Sequence, residues 1–549
     1  MKKTIFAALL AVCTISAAAC GGGSSAESGT SVAPAEEKVN CEVMAASYDV
    51  DEIDDVNKYA GEVADGAISH DGPLDNGMVV SPYFTLTVGG EEVPVYATRC
   101  AKSVHSFACA DILPTNGDAG FEVEVTLTAK GASKVLSVWE PSVVVLPQKR
   151  GVEAEISENT VTARISDFGI YTFTFNKAGE EAVTLCLYEA EPFEAPEGWG
   201  VQYISPEKHT MEETTFENSN TVYVFETGRH LIDSVTIPSD SWVYFEPGAY
   251  LEVYPDGEGK TRAAFCAYGG KNMRLSGRGV VDFSACMGGD AKIKGAFDFQ
   301  NIDGFSADGF LSVNSNTWTL CFTDCENVRV SRCMLFGYRT YSDGIMLSDC
   351  RDSSVEGCFV RTGDDGMETK STSAQGYTDN VVFRNNDCWT DKGNAYGVIW
   401  ETNRDVNNVT FIDCSVGFAQ ADWADRVGAL SIQLGDHYYS VRNIRFENIE
   451  IYRCYCPAVI NCELKQEGKL IDEVYIRNVH CAFATGYLLR LAEVDLRNPA
   501  RFGTFYLDNV SKNGIVLTEE NRNDDYMMNF IIGTSGWDSE KYVLINTLS

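Results

Sequence analysis

The stretch VRTGDDGMETKST, residues 360 to 372, sets Asp364 and Asp365 side by side behind Gly363. Adjacent carboxylates repel, so they belong either to a solvated turn or to a site that needs two acids. A third acid, Asp343 in GYRTYSDGIML, lies 21 residues before Asp364. If the chain repeats with a period slightly longer than that, the two loops leave one edge of the fold and three carboxylates converge. Convergence raises the pKa of at least one member, which suits a general acid near neutral pH. Chemistry that fits is cleavage of a glycosidic bond: one carboxylic acid protonates the leaving oxygen and a carboxylate deprotonates the attacking water, with inversion if the water fits between them. Turn acids or a calcium site compete with that reading. Calcium requires more than three oxygen ligands, and Asp349 and Asp352 are near enough in sequence to add some.

The elements that would position these acids repeat. From about residue 270 a short phrase recurs as NVRVSRC, DSSVEGC, NVVFRNN, NVTFIDC, NIRFENI, EVYIRNV and TFYLDNV. Its apolar positions Val330, Val355, Phe383, Phe411, Phe446, Ile476 and Leu507 are separated by 25, 28, 28, 35, 30 and 31 residues. Such a period marks a solenoid. The runs are short and rich in Val, Phe, Ile and Tyr, so they read as strands rather than amphipathic helices. Each coil buries its inner side chains only by stacking on the next, which predicts a parallel β-helix. Cys333, Cys358 and Cys414 then share one slot, as do Cys325 and Cys350. Stacked inward thiols are the expected state, although coils about 4.8 Å apart also permit a disulfide.

Upstream the period is absent. YFTLTVGG, FEVEVTLTAKG, TVTARI and YTFTFN alternate between Gly, Asn or Asp, which predicts an antiparallel β-sandwich over 42–192. The proline ending EPSVVVLPQ limits its strand. EAEPFEAPEGWG reads as the linker, and residues near 220 to 255 as the first coils of a β-helix domain over 193–549, with a capping role.

The first twenty residues, MKKTIFAALLAVCTISAAAC, have a basic start, a short apolar run and small residues before Cys20. They read as an export signal, too short to span a bilayer. The AAAC ending resembles a lipoprotein signal in which Cys20 is lipidated, with Ala17 where a large aliphatic residue is usual. Residues 21–41 read as a flexible tether. The expected location is therefore the bacterial cell envelope or surface, with membrane attachment only through the lipid. Lys plus Arg is 43 against 79 Asp plus Glu, a net charge of −36, which disfavours nucleic acid as a partner. The nineteen cysteines and six histidines follow no zinc spacing, and no dinucleotide or P-loop fingerprint is present, so neither a metal nor an organic cofactor is expected.

The two aspartate motifs resemble a known group. SDGI, one coil before GDDGMETKS, is similar to the NTD and GDDxxxxKS motifs of the glycoside hydrolase family 28 polygalacturonases and of family 49, which includes dextranases and isopullulanase. The phrase WEPSVVVLPQKRGVEAEISENTVTARISDFGIYTFTFN is similar to the sandwich that precedes the helix in family 49. The resemblance covers most of residues 42 to 510. It implies a right-handed β-helix that inverts, with Asp364 as general acid and Asp343 plus Asp365 handling the water. The polygalacturonase Gly-His-Gly is replaced here by Asn394 to Gly397, and RVGALSIQLGD lacks the family's Arg-Ile-Lys. Those cations recognise galacturonate, so their absence points to a neutral sugar, an inference weakened by Arg426 nearby.

Further substrate contacts are expected from Lys370, Asn394, Tyr396, Trp400 and Glu401. Trp389, Trp400 and Tyr396 are candidates for stacking on sugar faces, although an aromatic in a β-helix more often packs in the core. Glu401 and Asp436 also fit solvated turns, Lys370 either holds a carboxylate or shapes the loop, and His437 is the only histidine near these coils. The expected function is inverting hydrolysis of a polysaccharide, first a neutral α-glucan such as dextran or pullulan and second a pectic glycan. A noncatalytic glycan-binding surface protein and a calcium-dependent lyase are the rivals.

Overall fold

Inward-facing Val, Phe and Ile at equivalent positions of each repeat stack directly upon one another. The register runs Val330, Val355, Phe383, Phe411, Phe446, Ile476, Leu507 without a slip, each paired in parallel with the next. The expected period is thus the coil of a parallel β-helix, residue for residue. Phe411 shows what the stacking achieves. It lies between Phe383, ring centroids 4.7 Å apart, and Phe446, 5.1 Å apart, and is wholly buried.

The computed structural model describes residues 41–53, 77–100, 103–115, 120–176, 181–206, 216–255, 263–288, 295–373, 376–419, 427–434, 440–462, 470–493, 501–531 and 537–547. The signal, Cys20 and nearly all of the tether, and also Arg426, Asp436 and His437, lie outside them. No helix among the described residues is long and apolar enough to cross a membrane.

Between Gly200–Ile204 and Val543–Ile545 the described residues form one sheet of 32 strands, wound so that each strand pairs with its counterpart one coil on. The corners explain the Asn, Asp and Gly of the repeat. Asn327, Asp352, Asn380, Asn408, Asn443, Asn478 and Asn509 all have φ between 50° and 58°, a left-handed conformation that Asn and Asp tolerate better than other side chains. Their amides also bridge coils: Asn380 donates to Asp352 (2.5 Å), Asn408 to Asp379 (2.7 Å), Asn443 to Asn408 (2.6 Å) and Asn509 to Asn478 (3.0 Å). Cys325, Cys333, Cys350, Cys358 and Cys414 are buried free thiols in the helix interior, the inward stack expected. The register places Asn386 in the Cys358–Cys414 row between them.

Upstream, a 7-stranded and a 5-stranded sheet face each other across a separate apolar core containing Phe84, Phe173, Phe175, Leu127 and Leu185. All but one of the strand pairs are antiparallel; Ala182–Glu189 runs parallel to Ser103–Pro114. Val143–Leu146 stops before Pro147, which has no N–H for a ladder. Asn40–Ser549 forms one compact unit. The sandwich packs through Tyr96, Phe107, Ile170 and Cys186 onto the helix face that carries Met334, Phe336, Phe359, Trp389 and Phe418. The next turn along each coil from that face carries the acids.

Candidate active site

Three successive coils build the site in the turns that precede Ile345–Ser348, Met367–Ser371 and Tyr396–Thr402, the first carrying Asp343, the second Asp364 and Asp365, and the third Asn394. Parallel hydrogen bonds fix these turns together: Gly344 N–H donates to the Asp365 carbonyl (2.9 Å) and Gly366 N–H to the Asn394 carbonyl (2.7 Å). Asp343, Asp365 and Asn394 therefore occupy one equivalent position. The acid in step with Asp343 is Asp365, 22 residues on, rather than Asp364.

The two neighbouring acids turn to opposite coils. Asp365 Oδ1 accepts from both the backbone N–H and the Nδ2 of Asn394, each at 2.7 Å. Asp364 Oδ2 accepts from the backbone N–H of Tyr341 at 3.3 Å, one coil earlier. Asp343 and Asp365 are 3% and 5% exposed, whereas Asp364 is half-buried at the open side. Gly363 and Gly393 permit this packing. A Cβ on Gly363 would lie 2.5 Å from the Tyr338 carbonyl oxygen, and one on Gly393 would lie 2.3 Å from the Asp364 carbonyl carbon.

Lys370 lies among the acids. Its Nζ is 3.4 Å from Asp343, 3.1 Å from Glu368 and 2.9 Å from Glu401, and sits over the Trp318 ring at 4.6 Å. Glu401 reaches it because the strand pairing slips: Thr369 faces Val398 but Ser371 faces Thr402, so the extra residues bulge outward. Trp400, in the bulge, has φ 60°, and Tyr341 on the opposite rim has φ 62°, rare values for bulky side chains. Asn394, expected to contact substrate, is engaged within the protein. Its Oδ1 accepts from Ser431 Oγ (2.5 Å), Gln433 Nε2 (3.2 Å) and Gly428 N–H (3.2 Å), which orients Nδ2 onto Asp365.

Burial sets the protonation order. It raises Asp364 well above the usual carboxylate range, reinforced by the charges of Asp343 and Asp365. Burial also raises Asp343 to about 6, against the opposing pull of Lys370. Asp365 is raised by burial but drawn back by Lys370 and the Asn394 bonds. The arrangement can hold a proton on Asp364 while Asp365 is ionised.

A cleft of about 550 Å³ opens over the group, walled by Trp318, Tyr341, Asp343, Asp364, Asp365, Lys370, Lys392, Asn394, Trp400 and Glu401. One expectation is corrected, at Tyr396, while Trp389 takes the core position. Tyr396 is fully buried in the helix core, its hydroxyl donating to the carbonyls of Asn386 (2.8 Å) and Ser415 (3.0 Å), because its place in the strand alternation points inward. Trp389 is buried under the sandwich, 5.7 Å from the His105 ring. Sequence reasoning missed Trp318, Tyr341 and Glu368. Glu368 was open to it, since i and i+2 along a strand share a face and Lys370 is two residues on.

Calcium ligation by the neighbouring acids finds no support in the geometry. Asp349 accepts from Ser348 (2.9 Å), Ser371 (2.5 Å) and the Ser373 N–H (2.8 Å), and Asp352 from Asn380. Oxygens of Asp343, Asp365 and Glu368 do lie within 4.8 Å of one another, as metal ligands would. The Lys370 ammonium already supplies the cation there.

Residues 258–514, which include all of this site, match the model of the glycosyl hydrolases family 28. Among solved structures, the chain is similar to Dex49A from Penicillium minioluteum, with a TM-score of 0.61, 12% identity, and coverage of 92% of this chain and 100% of that one. It also matches a hyperthermoactive exopolygalacturonase from Thermotoga maritima, with a TM-score of 0.43, 14% identity and coverage of 60% and 94%. No curated protein matches significantly. The protein is an O-glycosyl hydrolase on a parallel β-helix, similar over residues 258–514 to the glycosyl hydrolases of family 28.

Proposed function

We propose that the protein is an inverting hydrolase of a neutral α-glucan, dextran or pullulan being the first candidates. Asp364 protonates the leaving oxygen, and Asp365 with Asp343 deprotonates and orients the attacking water. The observation that carries the acid assignment is the difference between the two neighbours: Asp364 is half-buried with a single backbone donor at 3.3 Å, while Asp365 is buried and holds two donors at 2.7 Å. A carboxyl poorly supplied with donors keeps its proton, and one well supplied loses it.

The neutral-sugar reading is supported by the cleft's charge. Among its described lining residues there is no arginine, and Lys370 is already within 3.4 Å of three carboxylates. A uronate carboxylate would meet four acids, Asp343, Asp364, Asp365 and Glu401, against two lysines, Lys370 and Lys392. Trp318, Tyr341 and Trp400 supply aromatic surface for apolar sugar faces. We further propose export and lipidation at Cys20, to be checked by labelling with a palmitate analogue and loss of label in Cys20→Ser.

The test is reducing-end release by the chain from residue 21 onward on dextran, pullulan, other neutral glycans and polygalacturonate, beside Asp364→Asn. Release from a neutral glycan, reduced about 10²- to 10⁴-fold in the variant, is expected. Release from polygalacturonate alone would overturn the substrate class, and undiminished release by Asp364→Asn would overturn the acid assignment.

A further inference from the structure

Glu368 is wholly buried beside Asp343, Asp365 and Lys370 and takes no part in the acid–base scheme above. Its row neighbours on the adjoining coils are Met346 and Gly397, neither of which has a side-chain donor. Neither carboxyl oxygen receives a hydrogen bond, although Lys370 Nζ lies 3.1 Å from one of them. Buried polar atoms without partners are rare and call for an explanation.

The charge count supplies one. Oxygens of Asp343, Asp365 and Glu368 lie within 4.8 Å of one another, and each residue is at most 5% exposed. Lys370 is the cation they share. Were all three ionised, the group would carry two uncompensated negative charges away from water, which proteins avoid by protonating a member. Asp365 holds two N–H donors and is the poorest place for that proton. Glu368 holds none and faces Asp343.

We propose that Glu368 is a positioning residue, a neutral carboxyl whose O–H donates to Asp343 and keeps that aspartate ionised and oriented toward the water. This rests on the reading of Asp343 as part of the base pair. Burial drives Glu368 well above the usual carboxylate range, and its bond to Asp343 lowers the latter against the effect of burial.

The experiment compares the full chain with Glu368→Gln, a neutral donor, and Glu368→Met, which has none. An infrared difference spectrum at pH 7, wild type minus Glu368→Gln, is expected to contain a protonated-carboxyl band. Carbon-13 titration of Asp343 is expected to be unchanged in Glu368→Gln and moved up by about one pH unit in Glu368→Met. The acidic limb of kcat/KM is expected to move with it, with KM held. No such band, or a downward shift in Glu368→Gln as expected for removal of a charge, would overturn the inference. So would Glu368→Met losing thermal stability with the titration of Asp343 in place. The infrared and carbon-13 readings need no substrate, so failure to find a hydrolysed glycan defeats the proposed function while these still decide where the proton sits.

Discussion

Asp364 and Asp365 tolerate adjacency because their side chains answer to different coils, Tyr341 behind and Asn394 ahead. The same division separates their protonation. Burial holds Asp343 at about 6 and raises Asp365 as well, so Asp343 of the proposed base pair ionises as pH climbs through about 6. On the proposed roles, Asp364, raised well above the carboxylate range, supplies the proton until pH passes its own value. A bell-shaped kcat/KM profile is therefore expected, with activity falling as pH drops through about 6; a profile flat from pH 4 to 7 would contradict it. Raised carboxyl pKa values also act on stability, with the sign opposite to that of a paired acid: the folded state binds the protons more tightly, so the site's contribution is lost as pH rises through the folded values. Asp364→Asn, which removes that burden, is expected to melt at pH 7 no lower than the wild type.

At the scale of the strand, the repeat is held by in-register side chains rather than by any single turn. Phe411 is the middle ring of the Phe383, Phe411, Phe446 stack. Its truncation to alanine would remove contacts on both axial sides and leave a cavity that the neighbouring coils, tied by ladder hydrogen bonds, cannot collapse into. Phe411→Ala is expected to cost about 3–5 kcal/mol, measured by denaturant unfolding, and a loss below about 1 kcal/mol would mean that the coils repack freely. This scale was the most legible in the sequence, since the repeat's apolar positions are the paired positions of the ladder. The site was less so. GDD marks the coil, but the bulge that lifts Trp400 and Glu401 toward Lys370 follows from the length of the neighbouring coil, and no local pattern announces it.

Across the whole molecule, a buried polar group joins the apolar contacts that tie the sandwich to the coils bearing the acids. His105 Nε2 bonds Thr184 Oγ1 at 2.7 Å, and His105 Nδ1 accepts from Arg361 Nη1 at 2.8 Å. Arg361 also pairs with Asp391 at 3.2 Å. Arg361 precedes Asp364 by three residues, and Asp391 precedes Asn394 by three. The sandwich thus braces both turns, the one that carries Asp364 and the one that carries Asn394. Burial and the Arg361 charge hold His105 well below its ordinary value, so it stays neutral in the fold. The unfolded chain takes up a proton there that the folded chain refuses, so this contribution to stability is present above about pH 6.5 and is lost as pH falls. His105→Gln keeps an acceptor for Arg361 without titrating. The stability difference between wild type and His105→Gln is expected to change by up to about 1.4 kcal/mol per pH unit below 6.5, to the disadvantage of the wild type. Parallel pH dependence of the two proteins would show that His105 does not titrate on unfolding.

The sequence by itself determined the β-helix, its period and the coils that bear the acids, because stacking demands one apolar residue at one place in every turn and Asn, Asp or Gly at the corners. It also placed the three aspartates on neighbouring coils by their spacing. Only the tertiary structure decided that Asp365 rather than Asp364 stands in step with Asp343, that Tyr396 points inward, and that Glu368 and Trp318 join the site. Those outcomes depend on unequal coil lengths and a bulge, which set the register between strands 22 to 34 residues apart, and a shift of one residue reverses the side of the sheet on which a side chain lies.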